Sequence, residues 1–328
     1  MLRDLVMHRE WRTCIPMEYR CTRPEYNTIA DQFRKILKPA PVFEISNVSE
    51  YFYQGTDQTH WGIYSDFPRP MPPFRATWLE WRIPKTVLEK GVLGDLPLSE
   101  KFNRAGCLVH TRPLGDYHKL HLPIGCENGI SVTFFLEERD SRTPAIVCTQ
   151  NFAIGPNWDL LSLTKIEKGI AFSYPTCNVE VAHKTEAGWE ALRYVDDFSN
   201  QLSFPAFLAM SLLNCKNVVT KEVTTPPALV KANKRRGHEI TPSHLLIEIQ
   251  PITVRTARES GAPGYSKAAV SIIRGHFKDY SNGKGLFGRY KGMFWWDQRL
   301  SLPADTSAEY RFKSATGPLD ERWIHAVK

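Results

Sequence analysis

Between Thr185 and Leu213 the chain carries its longest helical pattern. Trp189, Leu192, Val195, Phe198 and Leu202 recur at three- and four-residue steps, and an almost wholly apolar section, Phe204–Leu213, follows. A stripe that becomes apolar all round is a core helix, read here over 185–214, and a sheet has to be laid against it. Pro205 lacks an amide donor and collides with the preceding turn, so a kink or a division is expected there. The apolar section is far short of the roughly 18 residues of a membrane span. The opening MLRDLVMHREWR is charged throughout and shows no apolar leader, which points to the cytoplasm and to no membrane partner.

Strand patterns supply the sheet. Extended runs are expected at Val42–Val48, Tyr51–Gln54, Trp61–Tyr64 and Thr77–Ile83, with the last half-buried because Trp78, Glu80 and Arg82 alternate with Leu79, Trp81 and Ile83. More follow at Gly106–His110, Tyr117–Leu122, Ile130–Glu137, Ala145–Cys148 and His244–Thr253. The proline-dense stretch Phe67–Phe74 is either a rigid connector or a polyproline recognition segment. Thr22, Pro24 and Glu25 open a helix over 24–38 that Pro39 stops, while residues 1–22 show little periodicity. The fold class is α+β: a mainly antiparallel sheet, the long core helix and the N-terminal helix. The organisation expected is a β-rich body with its helix over 1–184 and a helix with basic antiparallel strands over 185–328, or one domain.

The net charge is +7, but from Lys216 onward there are 19 Lys and Arg against 10 Asp and Glu, so the positive excess is confined to the C-terminal third. That asymmetry suggests a polyanion partner or a solvated basic face. Its centre is Ser271–Trp296, a basic strand, a turn with Gly283, Gly285 and Gly288, and an aromatic strand, expected to pair as a ribbon displaying Arg274, His276, Lys278 and Arg289. Arg274, Lys278, Arg289 and Lys291 are candidate phosphate contacts, with Tyr290 and Trp295 as candidate stacking rings. A short basic helix before Gly237 adds Lys231, Lys234, Arg235 and Arg236.

The motifs of nucleotide-binding loops, zinc proteases and serine hydrolases are absent. Gly283-x-Gly285-x-x-Gly288 has a dinucleotide-loop spacing but lies between two strands, so no cofactor is expected. Seven scattered cysteines without a C-x-x-C pair argue against disulfides and structural zinc. His118 and His121, with His110 near, fall on opposite faces of an extended run, so no metal site is expected. A metal-free phosphodiesterase or ribonuclease remains open, with His276 as the catalytic acid or base, Arg274 as charge stabiliser, and Tyr280, His244 or Glu248 as a second proton-transfer group. His183-Lys184-Thr185 matches half of a two-histidine phosphoesterase pattern, without a second copy.

Leu213-Asn214-Cys215-Lys216-Asn217-Val218-Val219, Ile273-Arg274-Gly275-His276-Phe277, Leu286-Phe287-Gly288-Arg289 and Phe294-Trp295-Trp296, with Pro72-Pro73-Phe74 and Trp78-Leu79-Glu80, resemble a group of uncharacterised bacteriophage and prophage proteins. The resemblance implies a phage-encoded accessory protein inside a bacterial cell and transfers no catalytic residue. The expectation is a protein that binds nucleic acid, or a host complex that handles it, through the basic ribbon. The alternatives are the phosphodiesterase centred on His276 and a protein–protein inhibitor or structural component.

Overall fold

The computed structural model describes residues 1–54, 67–83, 102–113, 128–154, 160–161, 171–235, 240–249, 271–273, 276–286, 288–296 and 299–301. Its centre is a ten-stranded sheet built from β1 (Arg12–Thr13), β2 (Val42–Glu44), β3 (Ala76–Arg82), β4 (Phe102–Pro113), β5 (Asn128–Glu138), β6 (Pro144–Ile154), β7 (Leu160–Leu161), β8 (Ala171–Ser173), β9 (Val218–Thr224) and β10 (Ser243–Ile249). The order is β1-β6-β5-β4-β3-β2-β10-β9, with β7 and β8 also on β6. The fold is α+β. The sheet is mixed, because β1–β6, β2–β3 and β2–β10 run parallel among otherwise antiparallel pairs.

Both faces are covered. On one lies α5 (Glu186–Leu213), whose Phe207 meets Phe152 of β6 edge to face at 5.1 Å. On the other lie α1 (Leu2–His8) and α2 (Arg23–Leu37), which trap Trp11 against Phe135 at 5.1 Å and Phe33 at 5.9 Å. A division at 184/185 would cut through the core that α5 shares with β4, β5 and β6. α2 begins as expected, with the Glu25 carboxylate accepting from the backbone amide and hydroxyl of Thr22 at 2.8 and 2.7 Å.

Several expectations are corrected. Pro205 does not divide α5, which runs unbroken for 28 residues. Its cost of roughly 3 kcal/mol is offset by the side chains of Ala206, Phe207, Leu208, Ala209 and Met210, all fully buried. The run Val42–Val48 is extended only to Glu44, after which α3 (Ser46–Gln54) takes over and also replaces the expected strand at Tyr51–Gln54. β3 is buried on both faces rather than one, because the apparently unpatterned start of the chain folds as α1 over Trp78 and Glu80. Glu80, 0% exposed, accepts from the backbone amides of Leu2 and Arg3, from Trp78 Nε1 at 3.0 Å and from Arg104 Nη1 at 2.7 Å. A carboxylate that reads as solvent-facing in the sequence thus anchors the first helix. Trp61–Tyr64, Tyr117–Leu122 and the end of the run to Thr253 lie outside the described residues. No helix among the described residues is long and apolar enough to cross a membrane.

Candidate functional site

The basic stretch pairs as expected. β12 (His276–Asp279) runs antiparallel to β13 (Met293–Trp296), with His276 opposite Trp296 and Lys278 opposite Phe294. β11 (Ser271–Ile273) and β14 (Arg299–Ser301) pair in the same register. The connecting turn has φ of +75° at Gly283, +77° at Gly285 and +70° at Gly288, values that a Cβ would strain. Leu286 and Tyr290 exchange backbone hydrogen bonds of 2.8 and 3.0 Å across it.

The two faces differ. Phe277 and Trp295 meet edge to face at 4.7 Å and join the core beneath α5. The other face carries Lys278, whose Nζ lies 4.8 Å from the centroid of Trp296, and Tyr280 against Phe294 at 5.9 Å. Trp295 is 1% exposed, which corrects its expected role: a ring packed on both sides offers no face to a base. Tyr290, 58% exposed, keeps that possibility.

Three segments meet at the ribbon. Asn217 clasps the backbone of Trp295 in both directions, Nδ2 donating to its carbonyl at 2.9 Å and Oδ1 accepting from its amide at 3.0 Å, while the Lys216 amide donates to Met293 O at 2.8 Å. Three residues earlier, Asn214 Nδ2 lies 3.0 Å from the carbonyl oxygens of both Arg69 and Met71. The proline loop is thereby a fixed connector, with Phe67, Pro70 and Met71 buried. Arg69, held at φ +50°, ion-pairs with Asp279 at 3.3 Å. Hydrogen bonds from the hydroxyl and amide of Ser281, and then the Arg69 charge, hold the Asp279 carboxyl below its ordinary range.

The result is a cationic surface. Lys216, Lys278, Lys284, Arg289 and Lys291 are all exposed, and the aliphatic chain of Lys216 crosses Gly292, where a Cβ would stand 3.0 Å from its Cγ. Asp279 is the one carboxylate in the sequence from Ser271 to Trp296, and Arg69 already occupies it. Lys216, Lys284 and Arg69 escape a reading of the ribbon's own periodicity, because only the folded junction brings Lys216 and Arg69 to it. Arg274 and Arg236 lie outside the described residues. Lys234 and Arg235 are exposed on α6 (Pro227–Arg235), which has no buried residue. They are not adjacent to the ribbon: β9 intervenes along the chain and, at about 3.3 Å per residue, spans roughly 20 Å.

His276 is partly buried beside Trp296, and the structure does not gather the expected proton-transfer set around it. Tyr280 lies four residues along the chain and packs on Phe294, Glu248 pairs with Lys221 at 3.6 Å, and His244 stands near the far end of β10 from Ile249. His183 stacks flat on the Trp189 ring at 4.0 Å. His118 and His121 lie outside the described residues, among which no three His, Cys, Asp or Glu side chains gather as a metal would require. Cys14, Cys21, Cys107, Cys148, Cys177 and Cys215 are free thiols, and burial pushes Cys14 and Cys215 up to about 12. No protein-family model, curated protein or solved structure matches this chain.

Proposed function

We propose that the ribbon is a polyanion-binding surface, and that the chain is an accessory protein that binds single-stranded nucleic acid in the cytoplasm of a bacterial host. The phage context rests on the resemblance of the C-terminal segments. The observation that carries the reading is the gathering of five exposed cations from the ribbon and the end of α5, with the ribbon's single carboxylate neutralised by Arg69. Cations separated along the chain but collected on one surface suit a backbone of repeated phosphates. The exposed ring of Tyr290 favours unpaired bases, since stacking is worth about 1–3 kcal/mol per base and needs a free face.

The test is an anisotropy titration of a fluorescent oligonucleotide across a salt series. For a single strand, each phosphate neutralised contributes roughly −0.7 to the slope of log K against log salt. Lys278→Ala with Lys291→Ala therefore flattens the slope by about 1.4. An unchanged slope in a folded variant removes the ribbon from the binding surface.

A further inference from the structure

At the opposite end of the sheet from the ribbon's attachment beside β9, the segment around β1 closes a cavity of about 370 Å³ whose lining includes Arg12, Cys14, Arg20, Phe102, Glu138 and Ala145. A volume of this size lies within the range of small-molecule sites. Its charges are unequally matched. Arg12 Nη1 donates to both oxygens of Glu138, at 2.9 and 2.8 Å, so that pair cancels. Arg20 is placed by its Nε, which donates to the Ile15 carbonyl at 3.0 Å, and its two terminal nitrogens have no hydrogen-bond partner among the described residues. The chain holds Arg20 from both sides, through its amide to Met17 O at 3.3 Å and through a β-bridge to Cys177. A positioned, uncompensated guanidinium therefore stands beside the apolar surface of Phe102 and Ala145.

We propose that this cavity binds a small organic oxyanion, a carboxylate or phosphate monoester with an apolar body, with Arg20 gripping the charged group and Phe102 and Ala145 contacting the remainder. The guanidinium fork matches two oxygens of such a group at once, which an ammonium does not. Matched Arg12 and Glu138 leave a net single positive charge in the lining, suited to a monoanion. Cys14 adds no covalent chemistry: burial and the Glu138 charge push its thiol up to about 12, so it stays protonated. The site binds rather than reacts.

The ribbon would also attract anions, and the experiment separates the two. The probes are benzoate and phenyl phosphate, titrated while the methyl resonance of Ala145 is followed by NMR, so that only binding at this cavity is read. Saturable movement of that resonance at millimolar probe is expected, unchanged in Lys278→Ala/Lys291→Ala. Arg20→Gln keeps a donor for the Ile15 carbonyl and should weaken binding by about tenfold or more. If that variant does not fold, Arg20→Lys, which retains the charge without the fork, should bind several-fold more weakly. Response to benzoate alone or to phenyl phosphate alone identifies which oxyanion is preferred. An Ala145 resonance unmoved by either probe up to about 20 mM, or folded Arg20 variants that bind as the wild type does, overturns the proposal.

Discussion

Replacing Asn217 with alanine should release the ribbon while leaving the sheet folded. Asn217 is 8% exposed and Trp295 1%, so the two hydrogen bonds between them are shielded from water. The substitution leaves one buried amide and one buried carbonyl without that partner, and each orphaned group costs about 1–3 kcal/mol. The sum, about 2–6 kcal/mol, is comparable with the 5–15 kcal/mol that holds an ordinary domain together. The Lys216 amide and the Trp295 ring still hold the ribbon, which argues for the lower half of that range. Hydrogen exchange at the Trp295 amide should accelerate by about 30-fold or more, the factor corresponding to 2 kcal/mol, with amides of β4 and β5 unaffected. Oligonucleotide affinity should fall with it, although no cation is touched. Asn217→Asp, which keeps the acceptor and loses the donor, should lie between. Unchanged exchange at Trp295 with full oligonucleotide affinity would refute the reasoning that this side chain builds the surface.

Three further outcomes are expected. Glu80→Gln should destabilise the fold by about 3–5 kcal/mol in urea unfolding, because Arg104 loses its buried partner and α1 its anchor. Tyr290→Ala should weaken oligonucleotide binding by about 1–3 kcal/mol without changing stability, whereas Trp295→Ala should cost about 3–5 kcal/mol of stability; equal effects would merge the two roles that burial assigns. The carboxyl of Asp279 is held below its ordinary range when folded, so its contribution is present above about pH 4 and is lost as pH falls through the lowered value. The Arg69 contact should therefore loosen only in acid, as a small effect of about 0.2–1 kcal/mol because both side chains are nearly half exposed. Asp279→Asn should remove that part of the pH dependence of ribbon opening, read by exchange at β12.

The elements whose burial follows one period were legible from residue order. α2 shows its capping residues and its stripe, α5 its long apolar face, and the ribbon its alternation around glycines. The lapses share a cause, which is burial decided by a distant segment. Nothing local marks Glu80 as buried, since α1 covers it from 78 residues away in sequence. α1 buries only Leu2 and Val6, too little pattern to announce a helix. Trp295 and Tyr290 look equivalent as aromatic residues in a basic ribbon, yet one lies under α5 and the other in solvent. Lys278, Arg289 and Lys291 could be read from the ribbon itself. The asparagines could not: Asn214 holds the proline loop and Asn217 the aromatic strand, both through backbone atoms that carry no side-chain signature.

The most direct test of the polyanion surface is the salt dependence of oligonucleotide binding in the wild type and in Lys278→Ala/Lys291→Ala. The account predicts a steep wild-type dependence on salt and a slope flatter by about 1.4 in a folded variant. Slopes that coincide, or a wild-type protein that binds no oligonucleotide even at low salt, would contradict it.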